Sequence, residues 1–206
     1  MDLETKDAVG FRPVPWWAVV SSLVAPVAMI GGWTVAAARQ PAGYDSIRQT
    51  ISALAGHGAQ DRAIMTTGLA VLGVCHVVTA LGLRPARWPG RVVLAVGGVA
   101  TAVVAALPLP VSGPSGAHGV TALIAFLALV LWPVGAAFRR APAAVLRRPM
   151  TVVAVTVLVS LLIAFGIALQ NGDLVGLTER LLAGAQSLWP AIVVLGARFT
   201  ISGERP

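Results

Sequence analysis

The chain has 206 residues, of which 57% are hydrophobic and only 11% charged, whereas a soluble domain carries roughly 25% charged residues. Its net charge is +7, yet the basic residues sit between apolar runs and form no stripe interleaved with aromatics, which argues against a nucleic-acid partner. The single cysteine, Cys75, excludes an intramolecular disulfide and a cysteine-based zinc cluster.

Six apolar segments follow one another at about 15–38, 62–83, 91–111, 116–138, 150–170 and 177–198. Each can cross a hydrocarbon core of about 30 Å as a helix rising about 1.5 Å per residue. Helices are favoured because a segment in lipid must satisfy its own backbone groups, and the runs lack the alternation of barrel strands. The prediction is an all-α polytopic membrane protein. It is a single domain over 1–206, a bundle of six transmembrane helices whose first partner is the lipid bilayer. The connectors are too short for a separate catalytic domain, so any chemistry must come from helix ends and loops.

The first span holds Gly31-Gly32-Trp33, and its connector brings Gln40, Tyr44 and Asp45. Residues 46–55 read as a short amphipathic helix, Ile51 and Leu54 toward the bundle and Arg48 and Gln49 toward water. Asp45 suits the cap of that helix, since a carboxylate accepts from free first-turn N–H groups. The alternative is that the helix folds into the mouth of the bundle and sets Asp45 against apolar walls. His76 in the second span reads as a helix–helix hydrogen bonder. In the third span Gly97, Gly98, Ala100, Ala102, Ala105 and Ala106 predict close helix packing. His118 opens the fourth. In the sixth, Glu179, Ala183, Gln186 and Pro190 recur at 3–4-residue spacing on one side, with Trp189 beside them. Arg180 is placed to neutralise Glu179 or to reach head groups.

Polar residues are unevenly divided. Outside the terminal tails, all carboxylates (Asp45, Asp61, Asp173 and Glu179) fall on one side of the predicted bilayer, with His57 and His118. Asp61, Asp173 and Arg48 read as ordinary solvated loop residues. The other side holds Lys6, Arg12, Arg84, Arg87, Arg91, Arg139, Arg140, Arg147, Arg148, Arg198 and Arg205, against Arg39, Arg48, Arg62 and Arg180 on the carboxylate side. Basic connectors stay cytoplasmic, so a cell-membrane protein with both termini in the cytoplasm is expected. No His pair with zinc-helix spacing and no carboxylate-rich motif occurs, so neither metal nor other cofactor is expected.

The strings Gly31-Gly32-Trp33, Gln40-Pro41-Ala42-Gly43-Tyr44-Asp45, Thr50-Ile51-Ser52-Ala53-Leu54, Gly82-Leu83-Arg84-Pro85-Ala86, Pro108-Leu109-Pro110, Glu179-Arg180 and Leu188-Trp189-Pro190 resemble a large family of bacterial six-helix membrane proteins of unknown function. Size and topology are also similar to the membrane-bound terpene cyclases of bacterial indole-terpenoid pathways. The second resemblance implies protonation-initiated cyclisation of a farnesyl-type prenyl chain in an apolar cavity. It makes Asp45 and Glu179 an acid/base pair and Trp33, Tyr44 and Trp189 a cation-stabilising wall, with Gln40, His118 and Gln186 also lining the substrate site. The partner is then a lipophilic prenylated small molecule. The Asp-rich acid motif of soluble protonation-type cyclases is missing. Two other readings stand beside this one: a small transporter or permease using Asp45, Glu179 and His118, and a non-catalytic membrane protein whose polar cluster is a docking surface.

Overall fold

The computed structural model describes residues 13–139, 141 and 143–202. The basic residues Lys6, Arg12, Arg140 and Arg205 of the charge count lie outside them. Six long helices occupy the predicted spans: α1 (Trp16–Ala38), α3 (Ala63–Gly82), α4 (Trp88–Ala106), α5 (Gly116–Ala136), α6 (Arg148–Asn171) and α7 (Val175–Ser202), with a one-turn α2 (Ile51–Leu54) in the first connector. All six are long and apolar enough to cross a membrane.

Local chemistry sets the ends. The third span, predicted at 91–111, is shifted to Trp88–Ala106. Pro89 is tolerated in the first turn, where its missing N–H costs no helix bond. At the far end Pro108 and Pro110 force Leu107 and Leu109 out of helical conformation. Helix α6 stops at Gly172, whose φ of 76° is the left-handed cap that glycine adopts without strain. Arg91 donates from Nε to the Ala80 carbonyl (2.7 Å) and from its terminal nitrogen to that of Leu81 (2.6 Å), satisfying the last turn of α3.

The amphipathic helix expected over 46–55 is shorter than predicted. Asp45, through its carbonyl, accepts from the N–H groups of Arg48 and Gln49, closing a turn. Thr50 is then extended (φ −67°, ψ 160°), and its hydroxyl caps the helix by accepting from Ala53 N–H at 3.0 Å. Only Ile51–Leu54 is helical, because the cap residue lies inside the predicted segment. Ile51 and Leu54 do face the bundle and are almost fully buried.

The long helices close a ring in which α1 packs on α3, α3 on α4, α4 on α5, α5 on α6, α6 on α7 and α7 on α1. The tightest crossings use glycine. A Cβ added at Gly98 of α4 would lie 2.6 Å from the Gly73 carbonyl oxygen of α3. Gly32 and Gly68 bring α1 and α3 together in the same way. Lipid supplies no hydrophobic drive between helices, so close backbone contact replaces it. Outside the ring, Val20, Val27, Val96, Val120, Val152 and Ile163 are exposed, as a lipid-facing surface requires. The protein is a multi-pass membrane protein. The α1–α3 connector, Leu107–Ser115 and the α6–α7 turn share one end of the bundle, the mouth, tied by His57 N–H to Leu109 O (2.9 Å) and Leu177 N–H to Ile47 O (3.0 Å).

Candidate functional site around Glu179

Glu179 lies one turn into α7 and is 4% exposed. Two donors from α2 reach its carboxyl: Ile51 N–H to Oε2 at 2.5 Å and the Ser52 hydroxyl to Oε1 at 3.4 Å. They are delivered by its neighbour. The Arg180 guanidinium donates to the carbonyls of Ser46 (2.7 Å), Gln49 (2.9 Å) and Gly176 (2.9 Å), and its other terminal nitrogen to the Tyr44 hydroxyl (2.6 Å). Gly176 admits this arrangement, since any Cβ there would collide with the Gln49 and Ser46 carbonyls. Arg180 therefore does not pair with Glu179. Its terminal nitrogens donate to neutral oxygens, and it clamps the first connector onto α7.

Glu179 borders two cavities of different size. Toward α3 and α4 is a small one of about 50 Å³, where Ser52, His76, Thr101, Gln186 and Ser187 are set among mostly apolar neighbours such as Met29, Leu72 and Val104. Toward α5 and α6 is a cleft of about 320 Å³ with an overwhelmingly apolar wall that includes Leu109, Leu123, Phe126, Leu162, Phe165 and Leu169. Ligand pockets run from roughly 300 to 1,000 Å³, so only the cleft can hold an organic molecule. The rings of Phe126 and Phe165 meet there with centroids 5.4 Å apart at 59°. His118 lines the same cleft, its Nδ1 lying 2.7 Å from the Leu107 carbonyl. A carbonyl only accepts, so Nδ1 donates to it, and in the neutral ring Nε2 is the acceptor.

Of the residues expected to form the site, Glu179, His118 and Gln186 come together around these cavities. Gln186 lines the small one and donates from its amide nitrogen to the Phe126 carbonyl at 3.0 Å. The others lie apart from both. Asp45 has a 46% exposed side chain; it accepts from Ile47 N–H at 2.8 Å and pairs with Arg48 at 3.8 Å. Its oxygens order a turn ahead of α2, and the helix cap expected of Asp45 is made by Thr50 in its place. Gln40 is consumed by the connector as well: its amide nitrogen donates to the Ala36 and Gln60 carbonyls and its oxygen accepts from Gln60 N–H. Tyr44 is bound to Arg180. Trp33 packs beside Gly184 of α7, and Trp189 joins the apolar cluster around Leu94, Leu129 and Trp132. The aromatic wall facing the cleft is Phe126 and Phe165. Sequence reasoning missed them because a phenylalanine in a span carries no mark separating a cavity wall from a lipid face.

The family described as "Protein of unknown function (DUF998)" matches residues 22–196, a stretch that reaches into all six long helices. No curated protein and no solved structure matches the chain.

Proposed function

The chain belongs to the DUF998 family, and from that premise and the surroundings of Glu179 we propose a membrane-embedded terpene cyclase that protonates one end of a prenyl chain. The observation that carries the reading is a buried carboxyl opening onto an apolar cleft of about 320 Å³ between α5 and α6. A farnesyl-type substrate dissolves in the bilayer and enters sideways between these helices. In this reading the mouth lies on the outer face of the cell membrane, which the basic connectors at the opposite end support.

General acid catalysis needs a protonated carboxyl within reach of the acceptor. Oε2 is held by Ile51 N–H, so the proton belongs on Oε1, whose contact with Ser52 is long at 3.4 Å. The π pair of a terminal alkene, or the oxygen of its epoxide, takes that proton as the O–H bond breaks and leaves carboxylate on Glu179. The resulting cation is attacked by the next alkene, closing a ring. Phe126 and Phe165 present π faces to the passing charge. A C–H bond of the last cation then breaks, its pair forming the final alkene and its proton going to Nε2 of His118. The product is an isomer of the substrate. Asp45, Gln40 and Tyr44 act at a distance in this reading, by holding the connector that brings Ile51 and Ser52 to Glu179.

Membranes containing the protein, incubated with a farnesylated indole or its terminal epoxide, should yield a cyclised isomer resolved by chromatography and mass spectrometry. Glu179→Gln should abolish it and His118→Phe should leave trapped or uncyclised material, while Asp45→Asn retains at least half the rate. No product from the wild-type protein with either substrate would overturn the proposal.

A further inference from the structure

We infer that the small cavity on the α3–α4 side of Glu179 is a binding site for an internal water cluster, anchored by His76, that hydrogen-bonds to the Glu179 carboxyl. The inference deepens the proton-donor reading of Glu179 and rests on it for its use, while the cluster itself is argued from packing alone.

His76 is fully buried in the middle of α3 and lines this cavity. Neither of its ring nitrogens has a hydrogen-bond partner among the described residues. An imidazole needs both an acceptor for its N–H and a donor for its bare nitrogen. The hydroxyl protons of Thr101 and Ser187 are already committed, as is one of the two Gln186 amide protons. The Thr101 hydroxyl donates to the Gly97 carbonyl (2.8 Å), that of Ser187 to Gly184 (2.8 Å), and the Gln186 amide to Phe126 (3.0 Å). Each of these side chains still offers lone pairs. A set of fixed acceptors facing an unsatisfied imidazole is matched by a molecule that both donates and accepts, and about 50 Å³ admits a few waters at roughly 10–15 Å³ each. An organic ligand does not fit. Among the described residues, Glu179 and His76 are the titratable groups lining this cavity, and on the cleft side His118 joins Glu179.

Glu179 thus divides a wet pocket from a dry cleft. When its proton passes to a substrate, the carboxylate left behind keeps Ile51 N–H and gains the waters behind it, with no water released onto the cation. His76 is a positioning residue in this scheme, because it holds the cluster and touches no substrate.

The test uses full-length protein in lipid bilayers, labelled with ¹⁵N-histidine, with bulk water as the probe. In water-edited NMR the ring nitrogens of His76, assigned by their loss in His76→Gln, should receive water magnetisation several-fold faster than backbone amides of α3 facing lipid. In infrared spectra the carbonyl stretch of Glu179, assigned by its loss in Glu179→Gln, should move to higher wavenumber in His76→Leu and return in His76→Gln. A His76 ring no better coupled to water than those amides would overturn the inference, as would an unmoved Glu179 band in a folded His76→Leu protein. If His76→Leu does not fold, the wild-type NMR measurement decides alone. Failure of the cyclisation assay leaves both readouts intact, so the two claims fail separately.

Discussion

Glu179 and Asp45 are both carboxylates at the mouth, and their surroundings give them different work. Glu179 accepts from two donors of α2 while nearly sealed from solvent. Asp45 accepts within its own turn with its side chain half exposed. Removing an acceptor from a buried donor costs about 1–3 kcal/mol. Glu179→Ala, which strands Ile51 N–H, should lower stability by about that amount in thermal unfolding of detergent-solubilised protein. Glu179→Gln keeps an oxygen for Ile51 and should stay within about 1 kcal/mol of wild type while losing all cyclisation. Asp45→Ala trims only an exposed turn and should stay within about 1 kcal/mol as well. The inward face of α7 was legible in advance, since Glu179, Ala183 and Gln186 obey the helical period. Which carboxylate turns inward was not. That choice depends on Arg180 gripping carbonyls of residues 46 and 49, more than 130 positions away in sequence, a contact that no local pattern announces.

Among the elements, the long helices were readable because continuous apolar runs in lipid have few alternatives, and their ends followed proline and glycine. The first connector was read less well, because Thr50 serves as a cap in place of continuing the helix. Its docking relies on one guanidinium with four acceptors. Lysine cannot reproduce that fork. Arg180→Lys should therefore loosen residues 39–62, seen as several-fold faster proteolysis of this segment with the six long helices intact. The α3–α4 crossing carries a different liability. A side chain at Gly98 would strike the Gly73 carbonyl and the Cβ of His76. Gly98→Leu should cost about 1–3 kcal/mol from overpacking and should displace His76, whereas the same change at Gly31, which faces open space, should leave unfolding unaltered within about 0.5 kcal/mol.

At the scale of the whole molecule the ring is uneven. In their most apolar windows α6 has 22% of its residues buried against 56% for α7, so α6 is the helix most surrounded by lipid. The cleft lies along its inner flank, where Gly166 and Gly119 have no neighbour within 4 Å of an added Cβ. Gly166→Leu should therefore plug the cleft without strain. Thermal stability should rise by about 0.5–1 kcal/mol from the lost backbone entropy of glycine, while turnover of a prenylated substrate falls at least tenfold. Loss of folding in this variant would show that the cleft is not free space.

In the proposed reading the cleft is entered through the seam between α5 and α6 and is supplied in two dimensions. Whatever enters must already be mixed among the acyl chains, and it displaces one of them as it does so. Saturation should accordingly track the mole fraction of the guest in the bilayer. Adding inert phospholipid at constant total substrate should slow the protein, although the amount per litre of suspension has not changed.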